Sequence, residues 1–326
     1  MARHESKIRE VMAGRWFLAL RRSAIRAAVA LTVLLGLVFL AGEIYRRRDA
    51  SDALLAARDT LAHAELQPIE SPGPSSLHEL RLRGERGLVV DGWLRLPATS
   101  GPHPAIVILG GLRTGRRAVG YLREDHPIAL LALDYPYPSE RKPKGLVQCI
   151  GEAPRIHQAV FETVPAVMLA IDYLTSREDI DPRRIVLVGG SLGALFAPAA
   201  AALDPRVTAV ALLFGAGDLG ALAEVNLKWP WPARKIGGWC TGVIAAPLEP
   251  LEHIGAISPR PLLLVQATGD KRMPEILSRR LEQQAGEPLS VRRLEIGHVN
   301  IRDPRFHAEV LEEVMSWLAE IRVTSD

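Results

Sequence analysis

The 326 residues carry 40 Lys and Arg against 37 Asp and Glu, a formal net charge of +3, and 48% of them are hydrophobic. That apolar content excludes a disordered chain, and the length suits one α/β core with an added segment. The two cysteines, Cys149 and Cys240, are too few for a disulfide-built fold, and no Cys/His cluster suggests zinc.

Residues 27–42 are uncharged and mostly apolar, bounded by Arg26 and Glu43 and followed by Arg46-Arg47-Arg48. The 19 residues between Arg26 and Arg46 make about 28 Å of helix at ~1.5 Å per residue, enough to cross a thin bilayer with snorkelling flanks. A transmembrane anchor over 24–45 is expected behind a basic tail over 1–23. A cleaved signal peptide fits less well, because the leading segment is long and Phe39-Leu40-Ala41 is a poor small-residue cleavage site. A buried core helix conflicts with the basic flanks. Arg3, Lys7, Arg9, Arg15, Arg21, Arg22 and Arg26 outnumber Arg46, Arg47, Arg48 and Arg58. This bias predicts a cytoplasmic N-terminus, with the remainder outside the cytoplasm at a bacterial inner membrane. The same cations point to anionic lipid and not to nucleic acid.

Residues 49–66 alternate in charge and read as a short helix, and 68–76 as a Pro/Ser/Gly linker. The segment 46–76 is therefore expected to connect the anchor to a globular domain over 77–326. Within that domain, 77–83 and 88–96 read as a strand pair. The apolar run 104–109 is a buried strand leading into Gly110-Gly111-Leu112-Arg113-Thr114-Gly115. A strand over 128–134 and a helix over about 154–175 follow.

Ile185-Val186-Leu187-Val188 then runs into Gly189-Gly190-Ser191-Leu192-Gly193 and an Ala-rich helix. A buried strand, a Gly-x-Ser-x-Gly turn and a helix make a nucleophile elbow. Ser191 stands at the tip of that turn, at a helix N-terminus where the Leu192 N–H faces developing negative charge. The alternative is a tight turn carrying a bystander serine. A strand over 207–214, an insert over 215–258 and a strand over 261–267 come next. Asp270 lies just past that last strand, and His298 follows the strand over 290–296. Singly, the first reads equally as a turn residue and the second as a surface histidine. Together with Ser191, each lies past the C-terminal end of a strand, where open α/β sheets place their sites. His298 is then the general base and Asp270 its orienting partner. Asp218 is the rival acid; His253, in the insert, and His307, in the closing amphipathic helix, are the rival histidines.

The chain resembles the α/β-hydrolases, nearest to dienelactone hydrolase-like and acyl-CoA thioesterase-like serine hydrolases. The resemblance rests on the elbow, on Ile171-Asp172-Tyr173-Leu174 through Asp181-Pro182-Arg183-Arg184-Ile185, on Ile257-Ser258-Pro259-Arg260-Pro261, and on Gly297-His298. It implies a mostly parallel sheet with helices on both faces and an antiparallel pair at its start. The order Ser, Asp, His is that of the superfamily. The Leu112 N–H is the expected second donor of an oxyanion hole beside that of Leu192, although Gly110 stands where many relatives carry histidine.

Other features carry weaker signals. Gly215-Ala216-Gly217-Asp218-Leu219-Gly220 matches a dinucleotide fingerprint but lacks the following strand and acid. No cofactor or metal is expected. Trp229, Trp231 and Trp239 in the cap-like insert suit an acyl pocket, a membrane interface or simple packing. Arg113, Arg116 and Arg117, with Arg141, Lys142 and Lys144, form either an anionic-substrate contact or a solvated basic face. The expected topology also brings Cys149 and Cys240 to one edge of the sheet, where an oxidising compartment would let them pair.

The expected activity is hydrolysis of a carboxylic ester or thioester of a small or lipid-like molecule. A peptidase or amidase on the same three residues is the first alternative, because bond type is set by cap and leaving-group contacts. A catalytically silent envelope binding protein on the same fold is the second.

Overall fold

The computed structural model describes residues 2–71, 73–111, 114–121, 126–137, 146–298 and 306–323, with side chains undescribed at 2–15, 17–19, 146, 150, 306 and 307. The chain forms two compact units, Met1–Arg48 and Asp49–Asp326.

The first unit is one helix, α1 (Ala2–Arg46). Its part Leu20–Arg46 is long and apolar enough to cross a membrane, and none of its apolar window is buried inside the protein. Its 27 residues make about 40 Å of helix, more than the ~30 Å hydrocarbon core of a bilayer.

The second unit is a nine-stranded sheet in the order β1-β2-β3-β5-β4-β6-β7-β8-β9. Its strands are β1 (Leu61–Ile69), β2 (Ser76–Gly84), β3 (Val89–Leu96), β4 (His103–Leu109), β5 (Ala129–Leu133), β6 (Ile180–Gly190), β7 (Ala209–Leu213), β8 (Leu262–Ala267) and β9 (Leu289–Leu294). The pairs β1–β2, β2–β3 and β3–β5 are antiparallel, and every pairing from β5 through β9 is parallel. Continuous apolar runs in β4 to β8 follow from burial on both faces. Adjacent side chains point to opposite layers. Val107, Leu131, Leu187 and Leu212 pack with α3 (Leu146–Thr175) and α4 (Leu192–Leu203). Ile106, Leu130, Val186 and Ala211 pack with Val314 and Trp317 of α9 (Leu311–Glu320). The chain has the α/β-hydrolase fold, as the resemblance implied.

Two expectations are corrected here. Residues 49–66 are not one helix: only α2 (Ser51–Ala56) is helical, and β1 then pairs with β2 along its whole length. The compact unit therefore begins near Asp49, well before the expected start at 77. Leu54 of α2 is fully buried in the core, which ties this segment to the domain. The second correction is the disulfide. Cys149, near the start of α3, and Cys240, inside α6 (Ala233–Ile244), are free thiols.

The insert folds as α5 (Leu219–Asn226), α6 and α7 (Pro250–His253), the first two packed together. The Trp229 ring lies against Gly237 of α6, where a Cβ would come within 2.7 Å of it. Trp231 is 70% exposed and Trp239 half-buried.

Candidate active site

The site is built at the C-terminal edge of the parallel strands. Ser191 caps α4 and has φ 54° and ψ −108°, a backbone region that L-residues rarely adopt. Such strain persists only where the surroundings hold it, and it is common at functional sites. Here the holding is close packing: a Cβ at Gly193 would lie 1.8 Å from the Leu109 carbonyl oxygen, so α4 must begin with a bare backbone against β4. Ser191 N–H donates to Leu213 O at 2.9 Å, which fixes the turn to β7.

Ser191 Oγ lies 2.9 Å from His298 Nε2, and His298 Nδ1 lies 2.6 Å from Asp270 Oδ2. The sequence therefore named three residues that the fold joins into one hydrogen-bonded chain. The Asp270 side chain is 1% exposed and that of His298 12%. Asp270 Oδ1 accepts the N–H groups of Arg272 (2.8 Å) and Met273 (3.0 Å), which leaves Oδ2 aimed at the imidazole. Phe214 packs edge-on against the His298 ring, centroids 6.1 Å apart. Neither the two amides nor the ring was legible in sequence.

The rivals have other work. Asp218 caps α5 through Ala221 N–H and pairs with Arg280. His253 is buried, its Nε2 2.9 Å from Pro247 O. The His307 side chain lies outside the described residues.

Of the two expected oxyanion donors, Leu192 is the first residue of α4, where a helix N–H has no intrahelical acceptor. Leu112 lies outside the described residues, as do Arg113, Arg141, Lys142 and Lys144. The flanks of the Leu112 loop are described. A Cβ on Gly111 would lie 3.9 Å from Ser191 Cβ, so the loop does border the serine. Arg116 is not a free cation for substrate: it pairs with Asp134, Glu79 and Asp91. Arg117 is exposed. In the fingerprint-like 215–220 segment, Glu249 accepts the Asp218 and Leu219 N–H groups at 2.7 and 2.8 Å. No group of His, Cys, Asp and Glu suited to a metal ion exists among the described residues.

Residues 161–322 match the prolyl oligopeptidase family. The 2,6-dihydropseudooxynicotine hydrolase of Paenarthrobacter nicotinovorans is 31% identical over 171 residues, 50% of this chain and 41% of that protein. An uncharacterized protein of Mycobacterium tuberculosis is 25% identical over 207 residues, 62% of this chain and 65% of that one. The chain thus spans less than two thirds of the length of either relative. Among solved structures, an acetyl xylan esterase from Paenibacillus sp. R4 matches with TM-score 0.61 at 20% identity, over 82% of this chain and 91% of that one. At that identity the likeness is one of fold. Together the matches place the chain in similarity to hydrolases with the α/β-hydrolase fold.

Proposed function

We propose that the protein is a membrane-anchored serine hydrolase that cleaves a carboxylic ester or thioester through an acyl-enzyme. The observation that carries this reading is the chain Ser191 Oγ–His298 Nε2–Asp270 Oδ2, at 2.9 and 2.6 Å. Ser191 Oγ attacks the substrate carbonyl carbon, and its proton passes to His298 Nε2. The imidazolium is stabilised by Asp270, whose carboxylate is held for that role by two backbone amides. The Leu192 N–H, with a donor from the Leu112 loop, stabilises the oxyanion. His298 returns the proton to the leaving alcohol or thiol, then takes one from the water that releases the acid. Helix α1 holds the enzyme in the membrane, with the hydrolase unit outside the cytoplasm.

The prolyl oligopeptidase match favours a second reading, a peptidase or amidase on the same residues. Parallel assays of wild type and Ser191→Ala on 4-nitrophenyl acetate, an acyl-CoA and an aminoacyl amide separate the two. The proposal expects the ester or the thioester to be cleaved fastest and every activity to vanish in Ser191→Ala. Preference for the amide supports the peptidase. Activity retained by Ser191→Ala rejects both.

A further inference from the structure

Past β5, the neighbouring residues Asp134 and Tyr135 grip the β4 loop at both ends. At the loop's entry, Tyr135 Oη donates to Gly110 O at 2.5 Å. At its exit, Asp134 Oδ1 accepts the Arg116 N–H at 2.8 Å, and Asp134 Oδ2 accepts Arg116 Nε at 2.5 Å. The fit at the exit is close: Gly115 has φ +42°, and a Cβ there would lie 2.2 Å from Asp134 Oδ1. The serine reading gives this segment, residues 110–116, an oxyanion donor, and Gly111 borders Ser191.

The Tyr135 ring also meets Phe196 edge-on, centroids 5.9 Å apart. Phe196 lies on α4, the helix that Ser191 begins. One side chain thus links the helix that Ser191 begins to the entry of the loop that borders Ser191. Its ring meets the nucleophile helix and its hydroxyl meets the loop. In a trans peptide, C=O and N–H point in opposite directions. Fixing Gly110 O therefore fixes the Gly111 N–H and the start of the loop. Burial raises the Tyr135 hydroxyl far above its ordinary pKa, so it stays a donor across the working pH range.

We propose that Tyr135 is a positioning residue for oxyanion stabilisation: its hydroxyl sets the plane of the Gly110–Gly111 peptide, at the entry of the loop that borders Ser191. The inference rests on the serine-hydrolase reading. Tyr135 does not touch the substrate. It acts on the transition state, where the oxyanion exists, and not on ground-state binding.

The test compares full-length wild type, Tyr135→Phe and Ser191→Ala on 4-nitrophenyl acetate, with the rate of labelling by a fluorophosphonate probe measured alongside. Tyr135→Phe keeps the ring and removes only the donor. A donor displaced by about an ångström costs roughly 10- to 100-fold in rate. The expected result is a kcat loss of that size with KM within about twofold, and a parallel slowing of labelling, since the phosphonyl oxygen occupies the same hole. A merely structural role leaves kcat near wild type at temperatures below the variant's unfolding transition, or moves KM with it; either result overturns the proposal. If Tyr135→Phe does not fold, Asp134→Asn loosens the other end of the loop and is held to the same kcat-only loss; wild-type kcat there overturns the proposal too. Activity in Ser191→Ala rejects the underlying reading instead, and is distinguishable because that variant removes the serine and leaves the clamp intact.

Discussion

Asp270→Asn is the substitution whose consequence is most closely fixed by the geometry. Asn has the size of Asp, so the buried site keeps its packing. The Oδ1 position accepts from Arg272 N–H and Met273 N–H, and only an oxygen can do so. The Asn amide nitrogen must then take the place of Oδ2, 2.6 Å from His298 Nδ1. A donor now faces Nδ1, so the imidazole places its proton on Nε2, toward Ser191 Oγ. Nε2 can no longer accept the serine proton. Loss of base and of charge stabilisation together is expected to lower kcat by roughly 10⁴-fold, about 5.5 kcal/mol of transition-state stabilisation. Stability should change little, because both loop hydrogen bonds survive. The assay is steady-state hydrolysis of 4-nitrophenyl acetate, with thermal unfolding followed in parallel. Asp218→Asn is the control: Asn still caps α5, and the exposed pair with Arg280 is worth under about 1 kcal/mol. An Asp270→Asn variant within about tenfold of wild type refutes the reasoning, as does an inactive Asp218→Asn beside an active Asp270→Asn.

Two further predictions concern the scaffold. Burial raises the Glu249 carboxyl pKa above its ordinary value, against the lowering effect of the backbone amides it accepts. The folded state therefore binds the proton more tightly than the unfolded state. Stability contributed by the protonated form is complete below the unfolded pKa and is lost as pH rises through the folded one. Glu249→Gln should flatten that part of the stability–pH curve and cost about 1–3 kcal/mol, since one of the Asp218 and Leu219 amides loses its acceptor. A variant with the wild-type pH slope contradicts this. For the anchor, the full-length chain should sediment with membranes through a high-salt wash, because a spanning helix is held by apolar burial. A chain starting at Asp49 should be soluble and active. One starting at Ser71 should unfold at lower temperature and aggregate, because it lacks the buried Leu54 and leaves β2 as an open edge. Release of the full-length chain by salt alone, or equal stability of the two truncations, contradicts the respective claim.

The central strands and the elbow were legible because burial on both faces writes them as continuous apolar runs closed by glycine. Asp270 was legible because it follows such a run, and His298 because Gly297-His298 follows the last strand. β1 was not, because an edge strand with one neighbour shows no clean alternation, and its Pro68 is tolerated only at an edge. Its polar residues, next to the helical Ser51–Ala56, gave the whole stretch a helical look. The Asp134–Tyr135 grip and the Glu249 cap depend on contacts across 18 to 31 residues of chain, which no local pattern encodes. The cysteine pairing rested on topology alone, and Cys149 and Cys240 are free thiols.

The most direct test of the account is where a fluorophosphonate attaches. Full-length protein is labelled in the membrane, digested and read by peptide mass spectrometry. The account predicts one adduct, on Ser191, absent in Ser191→Ala and slowed by orders of magnitude in Asp270→Asn. An adduct on a different residue with Ser191 unmodified, or no adduct in a protein that still hydrolyses its ester, would contradict it.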